Sequence, residues 1–267
     1  MLPPEPLTVA AGQARSVSLD VPATVATAAD LVRRAADAGA ALLVLPELFL
    51  TGYELAGIRA HAAAVPDALE PLAKACAETG TAAVVGAPVV ADGLAYISAL
   101  VVDRSGSVAG RYDKQCPTAT ERVAGVSAGA GGCTVELDGW RLGLGICADT
   151  GFPEHARAAA LDDCHAYVVG AFFGPGLSAV RRATQLPARA LDNTMYAVLA
   201  DYPGPAGGSA IWNPDGTLLT DAGPTDPALA VGRLDPEVLA LARAEHPVLT
   251  DPALTAGPVP ARAALAV

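Results

Sequence analysis

The sequence predicts an α/β fold in which two packed β-sheets lie between outer helices. Predicted strands outnumber helices, and several strands follow one another as hairpins while others are followed by a helix. The short apolar run at residues 41–45, ALLVL, is typical of a strand that is buried on both faces. Because the 267 residues contain no internal repeat, linker or low-complexity segment, one domain is expected over residues 1–267.

The first half of the chain alternates strands and helices and then forms a hairpin. The helix at 25–38 has apolar residues at helical spacing, with Thr24 as a candidate N-cap and Gly39 at its end. A long polar, glycine-rich loop is expected at 115–132. The predicted strands are 7–14, 41–45, 81–90, 96–103 and 107–112, and the predicted helices are 25–38 and 68–79.

The second half repeats the pattern, with two further hairpins. A hairpin is expected around Asp138-Gly139, since this dipeptide favours a tight turn. The helix at 177–193 is expected to be interrupted near Pro187. The predicted strands are 133–137, 141–146, 166–170, 195–201, 209–213, 217–220 and 228–234, and the predicted helices are 155–162, 177–193 and 236–244.

Composition excludes several classes of protein. The net charge of -11 argues against a nucleic-acid partner, since phosphate binding needs a basic surface. The five cysteines are odd in number and form no CxxC pair, so neither a disulfide framework nor a zinc site is expected. No signal peptide opens the chain, and the uncharged stretch at 166–180 is too short and too interrupted to span a bilayer. We therefore expect a cytoplasmic protein without a membrane partner.

Cys147 stands where a buried strand meets a helix. The apolar run at 142–146 ends at this residue, and Pro153 marks the start of the next helix. A thiol in that position would meet the positive end of the helix dipole and free backbone N–H groups, which favour the reactive thiolate. The alternative is an inert buried cysteine, which is common in protein cores.

Two further polar residues end predicted strands. Glu47 follows the strand at 41–45, and Lys114 lies just past the strand that ends at Tyr112. Glutamate, lysine and cysteine together are suited to acyl transfer: the carboxylate takes the thiol proton, the ammonium lowers the thiol pKa and holds an oxyanion, and sulfur attacks. Each residue alone also has a purely structural interpretation, Glu47 as a turn cap and Lys114 as a solvated side chain.

Three short motifs make the chain resemble the nitrilase superfamily, the carbon–nitrogen hydrolases. PELFLTGY is similar to the motif of the catalytic glutamate at Glu47, YDK to that of the catalytic lysine at Lys114, and GICADTGFPE to that of the nucleophile at Cys147. Many members have a second glutamate, which Glu121 matches. Later family segments resemble residues 189–196 and 207–216, so the resemblance covers about 7–245 and leaves a tail at 246–267.

The resemblance implies a four-layer αββα sandwich, a dimer that forms an eight-layer αββα-αββα assembly, and neither metal nor organic cofactor. It also implies that a backbone N–H near Ala148 assists Lys114 at the oxyanion, and that Glu121 positions Lys114 or the substrate. Tyr53, Phe172 and Phe173 lie just past strand ends and are candidates for the substrate pocket. The alternative for these three aromatic residues is ordinary core packing.

The residues after the nucleophile indicate which branch the chain resembles. True nitrilases typically have Trp-Glu there, whereas this chain has Ala148-Asp149, which favours an amidase that releases ammonia from a small carboxamide. An N-carbamoyl amide hydrolase, an acyltransferase of the same fold and a non-catalytic binding subunit stay open, the last because the 115–132 loop is unusual. A dinucleotide site at the GxGxxA pattern of residues 143–148 is disfavoured, because residues 149–151 interrupt the required helix.

Overall fold

A computed structural model describes residues 1–204, 208–223 and 227–250. The described residues contain two six-stranded sheets, with strand orders β12-β1-β2-β3-β4-β5 and β11-β10-β9-β8-β7-β6. The strands are β1 (Leu7–Gln13), β2 (Leu42–Val44), β3 (Ala82–Ala91), β4 (Leu94–Val102), β5 (Val108–Asp113), β6 (Thr134–Leu137), β7 (Trp140–Ile146), β8 (Ala166–Gly170), β9 (Tyr196–Ala200), β10 (Ala210–Trp212), β11 (Leu218–Asp221) and β12 (Ala228–Leu234).

The helices of the described residues are α1 (Val21–Asp37), α2 (Ile58–Ala68), α3 (Glu70–Thr79), α4 (Ala119–Val123), α5 (Pro153–Leu161), α6 (Leu177–Asn193) and α7 (Pro236–Glu245), with a short 3-10 helix at Cys147–Gly151. Helices α1 and α3 cover the outer face of one sheet, and α5 and α6 cover that of the other. Each described helix is too short or too polar to span a lipid bilayer.

Each sheet has parallel strands at its centre and antiparallel strands at its edges. The strands β1, β2 and β3 pair in parallel, as do β7, β8 and β9. Parallel neighbours place their carboxyl ends at one edge of a sheet, which is where α/β folds usually carry functional residues. The segments that follow β2, β5, β7, β8 and β9 build the candidate active site described below.

Side-chain alternation explains the layering. Leu42 and Val44 of β2 point into the core between the sheets, where they join Leu144 and Val168 of the second sheet. Leu43 points to the other face of β2, into a second apolar cluster with residues of α1 and α3. A third cluster joins the outer face of the second sheet to α5 and α6. The result is the four-layer αββα sandwich that was expected.

Three expectations about the elements need correction. The helix α2 was not predicted, and α4 lies inside the segment that was expected to be a loop. The helix α6 continues through Pro187 without interruption. Proline deprives the carbonyl four residues earlier of its donor, but that residue, Ala183, is exposed, so water can satisfy the carbonyl. Residue 207 of the predicted 207–216 motif and the tail beyond residue 250 lie outside the described residues.

The turn after β2 lies directly against the backbone of β3. A Cβ atom built on Gly86 would lie 2.2 Å from the carbonyl oxygen of Pro46 and 2.4 Å from the amide nitrogen of Leu48. The carbonyl oxygen of Gly86 also accepts a hydrogen bond from the backbone N–H of Leu50 at 3.0 Å. Only glycine permits this approach, so β3 fixes the position of the turn that carries Glu47.

Candidate active site

Glu47, Lys114 and Cys147 each follow the carboxyl end of a strand, and the fold brings these ends together. Glu47 comes after β2, Lys114 after β5 and Cys147 after β7. The Lys114 Nζ atom donates a hydrogen bond to Oε1 of Glu47 at 2.6 Å, and both side chains are fully buried. A buried ion pair is costly to desolvate, so its presence at the strand ends points to a functional role.

Glu121 is the second carboxylate on the lysine. Lys114 Nζ donates to Oε1 of Glu121 at 2.7 Å, and the hydroxyl of Tyr53 donates to the same oxygen at 2.5 Å. Oε2 of Glu121 accepts the backbone N–H of Thr118, whose hydroxyl accepts the N–H of Glu121 in return. This capping box starts α4, so the short helix in the predicted loop serves to hold Glu121.

The three charges shift one another's pKa values. Burial raises the pKa of Glu47 to about 7, against the opposing effect of Lys114. Burial lowers the pKa of Lys114, but the negative charges around it, that of Glu47 foremost, outweigh burial and raise it overall. For Glu121, burial acts to raise the pKa, but the positive charge of Lys114 outweighs burial, so the pKa lies below its ordinary value. Lys114 and Glu121 are therefore charged at neutral pH, whereas Glu47 can exchange a proton.

Cys147 occupies a strained elbow. Its φ angle of 43° lies in the left-handed region, which non-glycine residues adopt uncommonly and which recurs at active sites. The residue is half-buried, and its Sγ atom lies 3.9 Å from the carbonyl oxygen of Phe172. The elbow starts the 3-10 helix at Cys147–Gly151, and Ala148 beside it is also half-buried.

The surroundings of Cys147 do not favour the thiolate in the way that its position at the end of a strand suggested. Burial and the charge of Glu47 raise the pKa of the Cys147 thiol well above its ordinary value, and Lys114 does not compensate. The 3-10 helix also separates Cys147 from the start of α5, so the dipole of α5 acts from farther away than the sequence suggested. The thiol consequently needs a base to become nucleophilic, and Glu47 is the adjacent candidate.

Asp149 ties the cysteine elbow to the segment after Lys114. Its Oδ2 atom accepts the backbone N–H of Ile146 at 2.9 Å and the hydroxyl of Tyr112 at 2.7 Å. Its Oδ1 atom accepts the backbone N–H of Cys116 at 2.8 Å. Sequence reasoning missed this role. The only available signal was an acidic residue in the turn after the nucleophile, which has many ordinary explanations.

The glycine-rich part of the predicted loop holds the backbone of Lys114. The N–H of Gly129 donates to the carbonyl oxygen of Lys114 at 2.8 Å, while the N–H of Lys114 donates to Ile97 in β4 at 2.9 Å. A Cβ atom on Gly129 would lie 2.1 Å from the carbonyl oxygen of Asp113, so this contact requires glycine. The unusual loop therefore supports the site.

Aromatic side chains form one wall beside the cysteine. The ring of Phe172, which is 41% exposed, stacks on Tyr53 at 4.9 Å and meets Tyr202 edge-on at 5.3 Å between ring centroids. The hydroxyl of Tyr202 donates to the backbone carbonyl of Glu47 at 3.1 Å. Phe173 does not join this wall, because it is buried in the cluster against α6. Tyr202 was not predicted as a site residue.

The sequence pattern that describes carbon-nitrogen hydrolases matches residues 8–244. The chain belongs to the carbon-nitrogen hydrolase family. The motifs at Glu47, Lys114 and Cys147 all lie within the matched range.

Relatives of this carbon-nitrogen hydrolase include bacterial hydrolases and amidases. A protein of Pseudomonas protegens described as "Hydrolase in pqqF 5'region" is 35% identical over 261 residues, which cover 93% of this chain and 86% of the relative. An (R)-stereoselective amidase of Pseudomonas sp. is 33% identical over 220 residues, which cover 79% of this chain and 78% of the relative. These relatives place the carbon-nitrogen hydrolase in the amidase-like branch of the nitrilase superfamily.

The fold of this carbon-nitrogen hydrolase is also that of a solved amidase from Nesterenkonia sp. AN1. One structure of that amidase superposes with a TM-score of 0.79 at 29% identity and covers 92% of this chain and 97% of the amidase. It is a mutant with the acetamide moiety of fluoroacetamide added covalently at the active-site cysteine. Another mutant structure of the same amidase is a complex with butyramide. The carbon-nitrogen hydrolase described here is accordingly an enzyme of the amidase type.

Proposed function

We propose that this carbon-nitrogen hydrolase cleaves small carboxamides to a carboxylic acid and ammonia through a thioester on Cys147. One observation carries the proposal: the buried Lys114 ammonium bridges Glu47 and Glu121 beside a half-buried cysteine on a strained elbow. This set supplies a nucleophile, a base and a fixed positive charge, which are the three groups that acyl transfer requires.

The first half of the reaction forms the thioester. Oε1 of Glu47 is held by Lys114, whereas Oε2 has no hydrogen-bond partner among the described residues and is free to take the proton of Cys147. As sulfur attacks the amide carbon, Lys114 and a backbone N–H near Ala148 stabilise the oxyanion. Protonated Glu47 then donates its proton to the amide nitrogen, which departs as ammonia and leaves the acyl group on sulfur.

The second half of the reaction regenerates the free enzyme. Glu47, again a carboxylate, removes a proton from a water molecule as the water oxygen attacks the thioester carbon. The oxyanion forms in the same place and collapses with release of sulfur, which recovers the proton from Glu47. A pKa of about 7 suits this carboxyl group to both directions of transfer at neutral pH.

The wall formed by Tyr53, Phe172 and Tyr202 supports a small, neutral acyl group. Phe172 contacts Cys147 through its backbone carbonyl oxygen and carries a ring that stacks on Tyr53, and apolar acyl chains gain free energy by burial against such aromatic surfaces. The Nesterenkonia amidase was captured with butyramide, a neutral amide with a short aliphatic chain. We infer that short aliphatic amides are the substrates that this site accepts.

The proposal is tested by ammonia release from a panel of aliphatic amides, ω-amides, ureido acids and nitriles. The wild type and Cys147→Ala are compared at equal concentrations, with Cys116→Ala as the matched cysteine control because alanine keeps the backbone N–H that Cys116 donates to Asp149. We expect turnover of aliphatic amides by the wild type and Cys116→Ala and none by Cys147→Ala.

Other results of this assay would support one of the alternative functions instead. Preferential release of ammonia from ureido acids would identify an N-carbamoyl amide hydrolase. Product formation only after an amine is added would identify an acyltransferase, since the amine would replace water at the thioester. A wild-type enzyme inert in every assay, including mass-spectrometric labelling by fluoroacetamide, would point to a binding subunit. Full activity of Cys147→Ala would overturn the assignment of the nucleophile.

A further inference from the structure

A buried carboxylate outside the proposed chemistry joins two walls of the site. Asp201 follows β9 and is fully buried. Its Oδ1 atom accepts two backbone hydrogen bonds, from Phe173 at 3.0 Å and from Tyr202 at 2.9 Å. One oxygen atom therefore sets the spacing between the segment after β8 and the segment after β9.

Both segments reach the reacting groups. The segment after β8 carries Phe172, whose carbonyl oxygen lies 3.9 Å from Sγ of Cys147 and whose ring forms the centre of the aromatic wall. The segment after β9 carries Tyr202, whose hydroxyl donates to the carbonyl of Glu47 and lies 3.0 Å from the hydroxyl of Ser16. The two segments held by Asp201 thus contact the Sγ atom of Cys147 and the backbone carbonyl of Glu47.

The second oxygen of Asp201 makes the residue costly to keep as a carboxylate. Its Oδ2 atom is buried and has no hydrogen-bond partner among the described residues. Arg182 forms a long ion pair with Oδ2, at 3.8 Å from its Nε atom, but the Nε–H group donates its hydrogen bond to the carbonyl of Gly208. Burial raises the pKa of Asp201 to about 7. A buried polar atom without a partner destabilises the fold, so the role of Oδ1 must outweigh that cost.

We propose that Asp201 is a positioning residue that holds the Phe172 wall and the Glu47 turn in register with Cys147. The Oδ1 atom acts as a shared anchor, and the acyl chain of the substrate lies against the wall that it fixes. The residue therefore controls the rate of acyl transfer and the preference for acyl chains. This inference rests on the proposed amide hydrolysis.

The two variants Asp201→Asn and Asp201→Ala separate the effect of the hydrogen-bond acceptor on activity from the effect of the negative charge. Asparagine keeps an oxygen that can accept both N–H groups, so Asp201→Asn should retain kcat within about threefold of the wild type. Alanine removes the anchor, so Asp201→Ala should lower kcat more than about tenfold. Because the wall loosens, KM for butyramide should rise more than KM for acetamide in Asp201→Ala.

A matched control distinguishes positioning from simple loss of stability. Asp235 also accepts a backbone N–H, that of Glu237 at the start of α7, and it lies near the opposite end of β9. Asp235→Ala should lower the melting temperature. Its kcat per folded molecule and its ratio of KM values for butyramide and acetamide should match those of the wild type. Circular dichroism at the assay temperature measures the folded fraction. If Asp201→Ala does not fold, Tyr202→Phe tests the arm to Glu47, with a lower kcat expected at nearly unchanged KM.

The proposal fails if Asp201→Ala, or in its place Tyr202→Phe, matches the wild type in kcat and KM per folded molecule. It also fails if Asp201→Asn is as impaired as Asp201→Ala, since the charge rather than the anchor would then matter. If the wild type turns over no amide, the proposed function fails instead. In that case the rate of Cys147 alkylation by iodoacetamide is measured in place of kcat. The wild type and Asp201→Asn should again react faster than Asp201→Ala.

Discussion

At the scale of single residues, the proposed mechanism places opposing requirements on Glu47: it must be buried next to Cys147 and still act as a base. Burial raises its pKa from 4.5 to about 7, and the charge of Glu121 adds to the increase. The base is the deprotonated form, so kcat/KM should rise with pH through about 7 and level off above it. Below about pH 7, kcat/KM should fall about tenfold per pH unit, and this falling part is the acidic limb of the pH profile. Initial rates with butyramide between pH 5 and 9 measure this limb.

A second buried carboxyl group with a pKa near 7 provides the control for that measurement. Asp201 titrates in the same range but makes no contact with the proton that moves in the reaction. Asp201→Asn should therefore retain the limb near pH 7. A limb near pH 4.5 in the wild type, or its disappearance in Asp201→Asn, would contradict the assignment of Glu47 as the base.

Glu121 adjusts both neighbours of the nucleophile through its charge. In Glu121→Gln, Lys114 keeps only one carboxylate partner, and its hydrogen bond to position 121 loses the charge of the acceptor, a loss of about 1–2 kcal/mol that predicts a kcat about 5- to 30-fold lower. Removing the negative charge of Glu121 should also lower the pKa of Glu47 and move the limb of kcat/KM to lower pH. The pH profile of Glu121→Gln tests both effects.

Thr118→Ala is the matched control for Glu121. It removes the hydroxyl that caps α4 but leaves the carboxylate of Glu121 on Lys114. We expect a loss of about 1 kcal/mol in the free energy of unfolding without a shift of the limb. An equal shift of the limb in Thr118→Ala and Glu121→Gln would mean that Glu121 acts by holding α4 in place and not through its charge.

The sequence was sufficient to predict that the candidate catalytic residues lie together and insufficient to predict the residues that hold them. Glu47, Lys114 and Cys147 end strands and lie in short motifs, so their proximity follows from local patterns. The roles of Asp149, Asp201 and Tyr202 depend on hydrogen bonds between segments that are distant in the chain. The raised pKa of the Cys147 thiol could not be predicted either, because the effects of burial and of the Glu47 charge depend on the packed site.

At the scale of elements, the turn after β2 leaves no room for a side chain between itself and β3. Gly86→Ala should lower stability by about 1–3 kcal/mol and reduce kcat, because its Cβ atom would push the backbone on either side of Glu47. Gly110→Ala is the control, since a Cβ atom on this glycine of the edge strand β5 meets nothing within 4 Å. Urea unfolding and butyramide kinetics measure the two effects, and equal behaviour of the variants would contradict the role of β3.

Strands were easier to predict than short helices. Buried strands such as β8 have continuous apolar runs with glycine or polar boundaries, and the structure has β8 at the predicted residues. The helix α2 lacks acidic residues in its first turn and contains Pro66, which obscures the pattern. The helix α4 has only five residues, and its capping box was the one local signal of its start.

At the scale of the whole molecule, the outer layer formed by α5 and α6 carries exposed apolar side chains. Monomeric proteins rarely leave large apolar patches in solvent, so these side chains favour association of two copies. The resemblance to dimeric family members predicts the same. The exposed apolar residues on and next to these helices are Phe152, Leu161, Leu177, Val180 and Leu191.

We predict a homodimer that forms through this layer. Sedimentation velocity should give about twice the chain mass of 26.7 kDa for the wild type. Leu177 and Val180 are 66% and 59% exposed, and the double substitution Leu177→Glu and Val180→Glu should place like charges across the interface and give monomers. Leu94→Glu, at an exposed position in the β3–β4 hairpin, should leave the dimer intact. A wild type that sediments as a monomer, or dissociation by Leu94→Glu alone, would contradict the prediction, because the apolar layer would then not be the contact between copies.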